Sequence, residues 1–524
     1  MGRYTFRLIM TKSAIEIINT KNQDPDYIVA DDSVMLNVYP RLHMFTFDLS
    51  LISGILKHGS LGYSLLNMPI RIEVRRSNGS KDSIHVTGNV NVKDLDFKID
   101  FDALREYIQC DDTYEVGIHV NRAIREHTGL GLSTQILGGV YLCSAKASGV
   151  SLKINDLFKI GIGHFSALGL NLIFNPGMIF EMGCRIADEK EGVIVNPTLS
   201  QEYETVANTV YKINNFPFYT IVAVPNTSTS ISGKYEIDFW TASLPDKEED
   251  SYRIVYNVLE TVIPGIVEDN FDVFATALNE NILLGSKPLE EKVQSDRTKE
   301  VLADLREQFA FAAVSSLGPA LYAFSDKDPG EALSKLDIQD YTFFVYDQYG
   351  GVKKKINTGE SLLIASFACM GKTTFARENP SLALDIESIH YSRIYKDKHP
   401  DDEVAKGQTE WRDNPAYPMN YVQDVIDNLG KYKVIFLTGG KDILGELDKS
   451  NVAYSILYPG PNRKNKVLAD ARARGNDEDF VALLDSLLST DDHRLGFAPL
   501  NHEKFEIIDD DRYMDEYLKE NYYV

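Results

Sequence analysis

The feature that most constrains the fold is an apolar run followed by a glycine-lysine-threonine turn, "SLLIASFACMGKTTFA", residues 361–376. The run predicts a buried strand, and the residues after the turn predict a helix. Two more apolar runs, "LALDI" at 382–386 and "KYKVIFLT" at 431–438, are separated by segments with helical periodicity. Strands that alternate with helices indicate an α/β domain with a parallel, doubly wound sheet.

The 524-residue chain is long enough for two to four domains, and 44% of it is hydrophobic, as in soluble globular proteins. A polar, turn-rich segment, "SDKDPGEALSKLDIQDY", predicts a linker at 327–342. It separates a C-terminal α/β domain, 343–524, from an α+β N-terminal domain, 1–326. The first 38 or so residues look like an extension of that domain. Within it, "TFRLIM", 5–10, predicts a strand and "SAIEIINT", 13–20, a helix.

The formal net charge of -23 disfavours a general nucleic-acid binder. The four cysteines show no spacing for a metal pair and look like thiols in a reducing compartment. The N-terminus shows no signal segment and no apolar run is long enough for a membrane span, so we expect a cytoplasmic protein.

The Gly-Lys-Thr turn suits a phosphate-binding loop. Gly371 permits the turn, Lys372 would neutralise the phosphates of ATP, and the Thr373 hydroxyl would ligate Mg²⁺, with Thr374 following. Ser366 occupies the position where the usual pattern has its first glycine. The alternative is an accidental Gly-Lys-Thr in an ordinary turn.

A carboxylate ends the next predicted strand. Asp385, with Glu387 close behind, could orient or deprotonate an acceptor hydroxyl or hold Mg²⁺; the alternative is an acid that caps the following turn. The strand at 434–438 lacks a terminal acid, which favours a kinase over a motor ATPase. A basic cluster follows, and Gly475 should stop its helix while Asn476 or Asp477 caps the next. This cluster either contacts phosphates or is a solvated helix face; its members are Arg463, Lys464, Lys466, Arg472 and Arg474.

The C-terminal half resembles the P-loop kinases of nucleosides and nucleotides, and more narrowly ATP-binding proteins common in phages and their hosts. The motifs are "GKTT", "LDIES", "YPMNYVQDVID" and "YPGPNRKNKVLADARARGNDEDFVALL". The resemblance implies phosphorylation of a nucleoside, a nucleotide or a modified base, with a DNA base among the substrates and the host cytoplasm as location. It implies catalytic roles for Lys372, Asp385, Arg472 and Arg474, and ATP contacts from Ser366, Gly371, Lys372, Thr373, Thr374 and Arg463, with Thr373 and Asp385 on the metal.

A second glycine-rich segment, "REHTGLGLSTQ" at 125–135, precedes an apolar helix. Its glycines would let an anion approach the backbone; the alternative is close packing alone. With "PRLHMFTFDL", "GSLGYSL", "GIGHFSALGLNLIFNPGMIFEMG" and "SSLGPALYAFSD", it resembles β-ribofuranosylaminobenzene 5′-phosphate synthase, which has the GHMP kinase fold. The resemblance implies phosphoribosyl transfer from phosphoribosyl pyrophosphate to an aromatic carboxylic acid, 4-hydroxy- or 4-aminobenzoate, with loss of CO₂. It assigns a catalytic role to Asp48 and a phosphate or sugar site to Arg41, His43, Glu126, His127, Gly129, Gly131, Thr134 and Gln135; Ser316, Gly318 and Pro319 match its C-terminal motif.

The chain departs from that family where an arginine becomes Ile162 and where "LKHGS", 56–60, replaces an Arg-x-Asp-Gly-Gly segment. An isoleucine cannot replace a guanidinium, so another sugar phosphate, or binding without catalysis, is expected. Three functions stay open. One is a bifunctional enzyme that joins an ATP-dependent kinase to a sugar-phosphate domain in a phage-type modification pathway. Another is a nucleotide-binding assembly or regulatory protein, and either of these could be a homo-oligomer. In the third, only the N-terminal domain is active and ATP acts as a regulator.

Overall fold

The computed structural model describes residues 15–523 apart from 31, 49–55, 58, 67, 78, 88–98, 122–123, 164–166, 187–202, 207–208, 215, 228–237, 240–246, 348–351, 396–410, 451 and 490–503. The predicted strand at 5–10 lies outside these residues. The chain forms two compact units, an N-terminal one that ends at residue 352 and a C-terminal one that starts at 353 and also includes 337–339. No helix in the described ranges is long and apolar enough to cross a membrane.

The N-terminal unit combines strands and helices, in agreement with the predicted α+β class. Its strands are β1 Ile15–Asn19, β2 Ile28–Val29, β3 Val34–Val38, β4 Arg41–Phe47, β5 Leu56–Lys57, β6 Gly59–Ser64, β7 Ile70–Ser77, β8 Ser83–Thr87, β9 Thr113–His119, β10 Met178–Glu181, β11 Cys184–Ile186, β12 Tyr203–Val206, β13 Thr209–Ile213, β14 Tyr219–Pro225, β15 Phe311–Val314, β16 Leu321–Ser325 and β17 Tyr341–Tyr346. Its helices are α1 Phe101–Ile108, α2 Leu132–Ala147, α3 Ile154–Lys159, α4 Ala167–Phe174, α5 Glu248–Asn257, α6 Ile263–Val267, α7 Phe271–Asn281, α8 Lys287–Lys292, α9 Asp296–Gln308 and α10 Gly330–Ser334; a π-helical turn, Val258–Val262, joins α5 to α6.

Two five-stranded sheets carry the candidate site of this unit. One has the order β1-β13-β10-β6-β4 and is antiparallel throughout. The other has the order β2-β3-β7-β9-β8, in which only β8 and β9 are parallel. Helix α2 packs on the second sheet at Gly139, where a Cβ atom would come within 2.4 Å of Ile72 Cδ1. Gly139 therefore lets α2 approach the sheet closely, while the neighbouring Gly138 faces Ile173 of α4.

Two predictions on this unit need correction. Residues 15–19, which we expected to be helical, form β1 and pair with β13 about two hundred residues later in the chain. Residues 341–346, which we divided between the linker and the C-terminal domain, form β17 and pair with β14 in the N-terminal unit. In both segments pairing with a distant strand overrides the local pattern.

The C-terminal unit contains the parallel sheet that the sequence predicts. Its strands are β18 Val352–Lys355, β19 Leu362–Ser366, β20 Ala383–Asp385, β21 Arg393–Tyr395, β22 Trp411–Asp413, β23 Val434–Thr438, β24 Ser455–Pro459, β25 Lys504–Ile508 and β26 Tyr522–Tyr523. Its helices are α11 Lys372–Glu378, α12 Ile389–Ser392, α13 Met419–Asp427, α14 Lys441–Lys449, α15 Lys464–Ala473, α16 Glu478–Leu488 and α17 Met514–Asn521.

Strand β19 lies in the centre of this sheet, whose order is β20-β23-β19-β24-β25 and whose strands are all parallel. Leu363 and Ala365 pack on one face in a core with residues of α13 and α14. Leu362 and Ile364 pack on the other face in a core with residues of α17. The chain crosses from one side of β19 to the other between β23 and β24, and ligands of such sheets bind where the strand order reverses, beyond the carboxyl ends.

A buried ion pair joins three elements of the N-terminal unit. The Lys287 ammonium donates to Glu290 Oε2 at 2.7 Å, to the carbonyl of His43 in β4 at 3.2 Å and to that of Val314 in β15 at 3.0 Å. Its side chain is 4% exposed and that of Glu290 is 0% exposed. The ammonium therefore fixes the backbone of β4 beside the predicted phosphate site.

Replacing Lys287 with methionine should destabilise this unit by about 3–5 kcal/mol, because the buried Glu290 carboxyl group would lose its cationic partner. Hydrogen exchange of β4 and β15 peptides would measure the local free energy of opening. The control is Lys335→Met, which removes a surface ion pair with Glu331. It should change the free energy of opening by less than about 0.5 kcal/mol. Unchanged protection in Lys287→Met would show that the pair does not hold β4.

Candidate functional site

The loop after β19 has the backbone of an anion-binding turn. Cys369 has a φ of 61° and Gly371 a φ of 94°, and such left-handed residues turn successive N–H groups toward one point. Ser366 is the last residue of β19 and has no positive φ, so a side chain is tolerated where the usual pattern has a glycine. The substitution therefore leaves the loop conformation intact.

The Lys372 ammonium lies over this loop, where it donates to the carbonyls of Ser366 at 2.8 Å and Phe367 at 3.1 Å. Burial lowers the pKa of Lys372, and the charges of Asp385 and Glu387 oppose that shift. Its described hydrogen-bond acceptors are neutral carbonyls, so an arriving phosphate would add a charged partner.

Asp385 and Thr373 meet beside the lysine. The Thr373 hydroxyl donates to Asp385 Oδ2 at 2.6 Å, while Asp385 Oδ1 is buried with no hydrogen-bond partner among the described residues. Burial raises the pKa of Asp385, whereas the Lys372 charge and the Thr373 hydrogen bond lower it. A hydroxyl and a carboxylate oxygen suit Mg²⁺, which keeps most of its ligands as water or phosphate. Within the described ranges no three His, Cys, Asp or Glu side chains cluster as a metal site.

A cavity of about 460 Å³ opens beside the loop. Its walls come from the loop and α11, from α15 and from the start of α17; they are Gly371, Thr374, Phe375, Glu378, Asp470, Ala473, Arg474, Tyr513 and Asp515. The charge of Arg474 lowers the pKa of both Lys372 and Asp385, which places this arginine within electrostatic reach of the loop. Thr374 and Arg474 thus lie near the phosphate loop.

Two predicted arginine contacts need correction. Arg463 is only 1% exposed, and its guanidinium donates to the main-chain carbonyls of Asp510, at 2.6 Å, and of Arg512. Arg472 points to the surface and pairs with Glu478 at 3.1 Å. Arg463 therefore anchors the segment that follows β25, and Arg472 forms the solvated face that was the alternative prediction.

Helix α15 ends and helix α16 begins where the sequence predicts. Gly475 has a φ of 75° after α15, and the Asp477 carboxylate accepts from the Phe480 N–H at 2.8 Å as the N-cap of α16. Both features depend on neighbouring residues only.

In the N-terminal unit the glycine-rich segment lies along the edge of β4. The Arg41 N–H donates to the Leu130 carbonyl at 2.8 Å, and Arg41 Nη1 donates to the Gly129 carbonyl at 3.3 Å. At Gly131 a Cβ atom would come within 2.7 Å of Arg41 Nε. The guanidinium and the glycine backbone therefore form one surface.

A second loop, which contains Ser315, contacts the glycine-rich segment. The Ser315 hydroxyl donates to the Gly129 carbonyl at 2.9 Å, and the His43 N–H donates to that hydroxyl at 3.1 Å. Positive φ angles concentrate in the two loops, at His127, Gly129, Gly131, Ser316 and Gly318, the last of which precedes Pro319. Backbone held in such conformations is typical of ligand sites. Helix α2 starts there at Leu132, with no side-chain cap at Gly131.

The other predicted residues of this segment contribute to packing. The Gln135 amide donates to the Gly169 carbonyl at 2.7 Å, and Thr134 packs against Gly169, where a Cβ atom would come within 2.9 Å of Thr134 Cγ2. Glu126 is buried. Ile162 is 2% exposed within the hydrophobic core, so it does not line a polar site.

Two predicted site residues lie far apart, His43 in β4 and Asp48 just after its end. His43 is buried beside Arg41 and Lys287, and burial, followed by those two charges, keeps its pKa well below the usual range. Asp48 follows the far end of the strand, roughly 20 Å from Arg41 at about 3.3 Å per residue, where its N–H donates to the Ser251 hydroxyl at 3.1 Å. The structure thus brings Arg41 and His43 together but not Asp48.

Glu181 is a further buried acid, at the end of β10. Its Oε2 accepts from the Gly183 N–H at 2.6 Å, and the Ser60 hydroxyl also hydrogen bonds to the carboxyl group. Burial raises the pKa of Glu181 to about 8. The sequence signal for it is the acid that ends the apolar run "MIFE".

The folded protein should lose stability as the pH rises from about 5 to 8. In this range the Glu181 carboxyl ionises in the unfolded chain, with an ordinary pKa of 4.5, but stays protonated in the folded one. Urea unfolding at both pH values should show a smaller loss for Glu181→Gln than for wild type. Glu16→Gln, which changes an exposed acid of β1, should behave like wild type. An equal loss in Glu181→Gln and wild type would contradict this origin.

Sequence comparison places the known relatives in the N-terminal part of the chain. The β-ribofuranosylphenol 5′-phosphate synthase of Methanocaldococcus jannaschii is 26% identical over 316 residues, which are 59% of this chain and 92% of that enzyme. The enzyme of the same name from Methanothermobacter thermautotrophicus is 25% identical over 306 residues, 57% of this chain and 90% of its own. No family model matches the chain.

Among solved structures, homoserine kinase from Cytophaga hutchinsonii superposes with a TM-score of 0.40 and 13% identity, covering 62% of this chain and 98% of the kinase. Mevalonate kinase from Staphylococcus aureus superposes with a TM-score of 0.37 and 12% identity, covering 61% and 100%.

Proposed function

We propose that the chain is a bifunctional enzyme, with an ATP-dependent phosphotransferase in the C-terminal unit and a sugar-phosphate site in the N-terminal unit. The observation that carries the first part is the grouping of Lys372, Thr373 and Asp385 at the carboxyl end of the central strand of a parallel sheet. In phosphoryl transfer the protein mainly positions the phosphates and stabilises their charge, and these groups suit that task.

Each group has a distinct role in this proposal. Lys372 binds the transferred phosphate, and the loop N–H groups after Cys369 hold the neighbouring phosphate oxygens. Thr373 and Asp385 would hold Mg²⁺, which supplies positive charge to the phosphates when bound. The free Asp385 Oδ1 could also accept the proton of an acceptor hydroxyl. The acceptor class that we favour is a nucleoside, a nucleotide or a modified base, including a DNA base in a phage-type pathway.

Lys372→Ala should lower the affinity for ATP with Mg²⁺ by about a hundredfold or more, because the charge-assisted contact to the phosphates is lost. Isothermal titration of the full chain would measure it. Lys449→Ala removes an exposed lysine that pairs with Glu446 and should bind like wild type. Equal affinity in wild type and Lys372→Ala would show that ATP does not use this loop.

The N-terminal proposal is supported by the similarity to enzymes named β-ribofuranosylphenol 5′-phosphate synthase. Arg41 and the glycine backbone at 129–131 would bind the phosphate of a phosphoribosyl donor such as phosphoribosyl pyrophosphate. Because Ile162 is part of the core, it offers no cation to a carboxylate acceptor. We therefore favour a sugar-phosphate reaction with a different acceptor. Joining such a site to a kinase suggests consecutive steps on one intermediate.

Arg41→Met should weaken binding of phosphoribosyl pyrophosphate at least tenfold, since one guanidinium contact to phosphate is removed. Titration of the full chain would test this, with Arg76→Met as the control because Arg76 is exposed and 3.7 Å from Asp112. A wild-type chain that binds no phosphoribosyl pyrophosphate would refute that donor.

One observation favours a second function, nucleotide-dependent assembly or regulation. Both Arg463 and Arg472 were expected to contact phosphates. Instead, Arg463 hydrogen bonds to main-chain carbonyls and Arg472 pairs with Glu478. A regulatory protein would bind ATP and change its oligomeric state without multiple turnover, and sedimentation with and without ATP would reveal it.

A further inference from the structure

The cavity beside the phosphate loop is lined by both aromatic and acidic side chains. Tyr513 and Phe375 contribute aromatic rings, whereas Glu378, Asp470 and Asp515 contribute carboxylates. Arg474 is the one cation among the described residues of its lining. A cavity with two more acids than bases disfavours further phosphates and favours a ligand that offers planar apolar surface together with N–H donors.

We propose that this cavity binds the base of the nucleotide whose phosphates lie on the loop, and that Asp515 makes it select bases that carry an exocyclic amino group. The inference depends on the proposed phosphate site. It adds the nature of the base and the residue that selects it.

Position is the first support. Gly371 belongs both to the phosphate loop and to the cavity wall, and a Cβ atom on it would come within 3.3 Å of the Tyr513 side chain. A molecule with its phosphates at Lys372 therefore reaches the cavity directly. A volume of about 460 Å³ lies within the range of small-molecule sites.

The second support is the fixed orientation of the Tyr513 ring. Its hydroxyl donates to Asp470 Oδ2 at 3.0 Å, and the Lys466 ammonium lies 4.6 Å from the ring centroid. The preceding residues are anchored by Arg463, which binds the carbonyls of Asp510 and Arg512. An aromatic ring whose orientation is fixed suits stacking on a base. In this proposal, the buried Arg463 helps to position that ring.

The third support is the chemistry of the carboxylates. Ionised carboxylates only accept hydrogen bonds. Asp470 already accepts from Tyr513 and lies 3.8 Å from Lys466. Among the described residues, Asp515 has an ion pair with Lys519 alone, at 3.6 Å on the same helix. Asp515 is therefore the better acceptor for an amino group. A carbonyl in the same place would face a negative charge and be repelled.

Matched pairs of nucleotides test the selection directly. CTP and UTP differ by a 4-amino or a 4-oxo group, and GTP and ITP differ by the 2-amino group. Titration of the full chain in the presence of Mg²⁺ should show about tenfold tighter binding of the amino member in at least one pair, the size expected for one charge-assisted hydrogen bond. Equal affinities within both pairs would overturn the inference.

Variants locate the effect. Asp515→Asn should reduce the discrimination to less than about threefold, because an amide can donate as well as accept. Asp479→Asn is the matched control, since Asp479 is also an acid in the first turn of a helix but lies outside the lining. Tyr513→Phe should keep most of the affinity, and Tyr513→Ala should weaken all four nucleotides about equally. Discrimination that persists in Asp515→Asn would overturn the role of that residue.

The binding results distinguish an error in the base selection from an error in the phosphate site. If Lys372→Ala abolishes binding while both pairs bind equally, the phosphate site stands and the base selection is wrong. If the wild-type chain binds neither ATP nor any of the four nucleotides, both are wrong.

Discussion

The chemistry proposed for the C-terminal unit depends on where strand β19 ends. The strand is buried on both faces, with alternate side chains in two separate cores, so its carboxyl end is held rigidly. The loop that follows brings the Lys372 ammonium to within 2.8 Å of the Ser366 carbonyl. Thr373, Asp385 and the cavity at Gly371 are all placed relative to that end. A rigid scaffold with a short loop at its edge is the arrangement in which binding groups are positioned most accurately.

Local patterns predicted much of this unit. The parallel strands follow from apolar runs that alternate with helical segments, and the ends of α15 and α16 follow from Gly475 and Asp477. The pairing of Thr373 with Asp385 was foreseeable, since Thr373 follows β19 and Asp385 ends β20 at the same carboxyl edge of the parallel sheet, with only β23 between the two strands. The position of Arg472 matches the alternative prediction, because its partner Glu478 is only six residues away. The contacts of Arg463 were not foreseeable, because packing with a distant segment determines them rather than the sequence around the arginine. Arg463 binds carbonyls almost fifty residues further along the chain.

Long-range pairing also limited the prediction of the N-terminal unit. Residues 15–19 and 341–346 became strands because β13 and β14 offered partners, and a sequence window cannot contain such partners. The motif comparison did identify Arg41, His43 and the glycines that surround them, and the structure brings these together. It also grouped Asp48 with them, although a whole strand separates Asp48 from Arg41. A motif records order along the chain and not the distance between its ends.

The most direct test of the account is whether phosphate moves. The full chain would be incubated with ATP labelled at the γ-phosphate, Mg²⁺ and a pool of nucleosides, nucleotides and short DNA, and the products separated by chromatography. The account predicts label on an organic acceptor over many turnovers, and none with Lys372→Ala. Label that stays in ATP or appears only as inorganic phosphate would contradict a phosphotransferase.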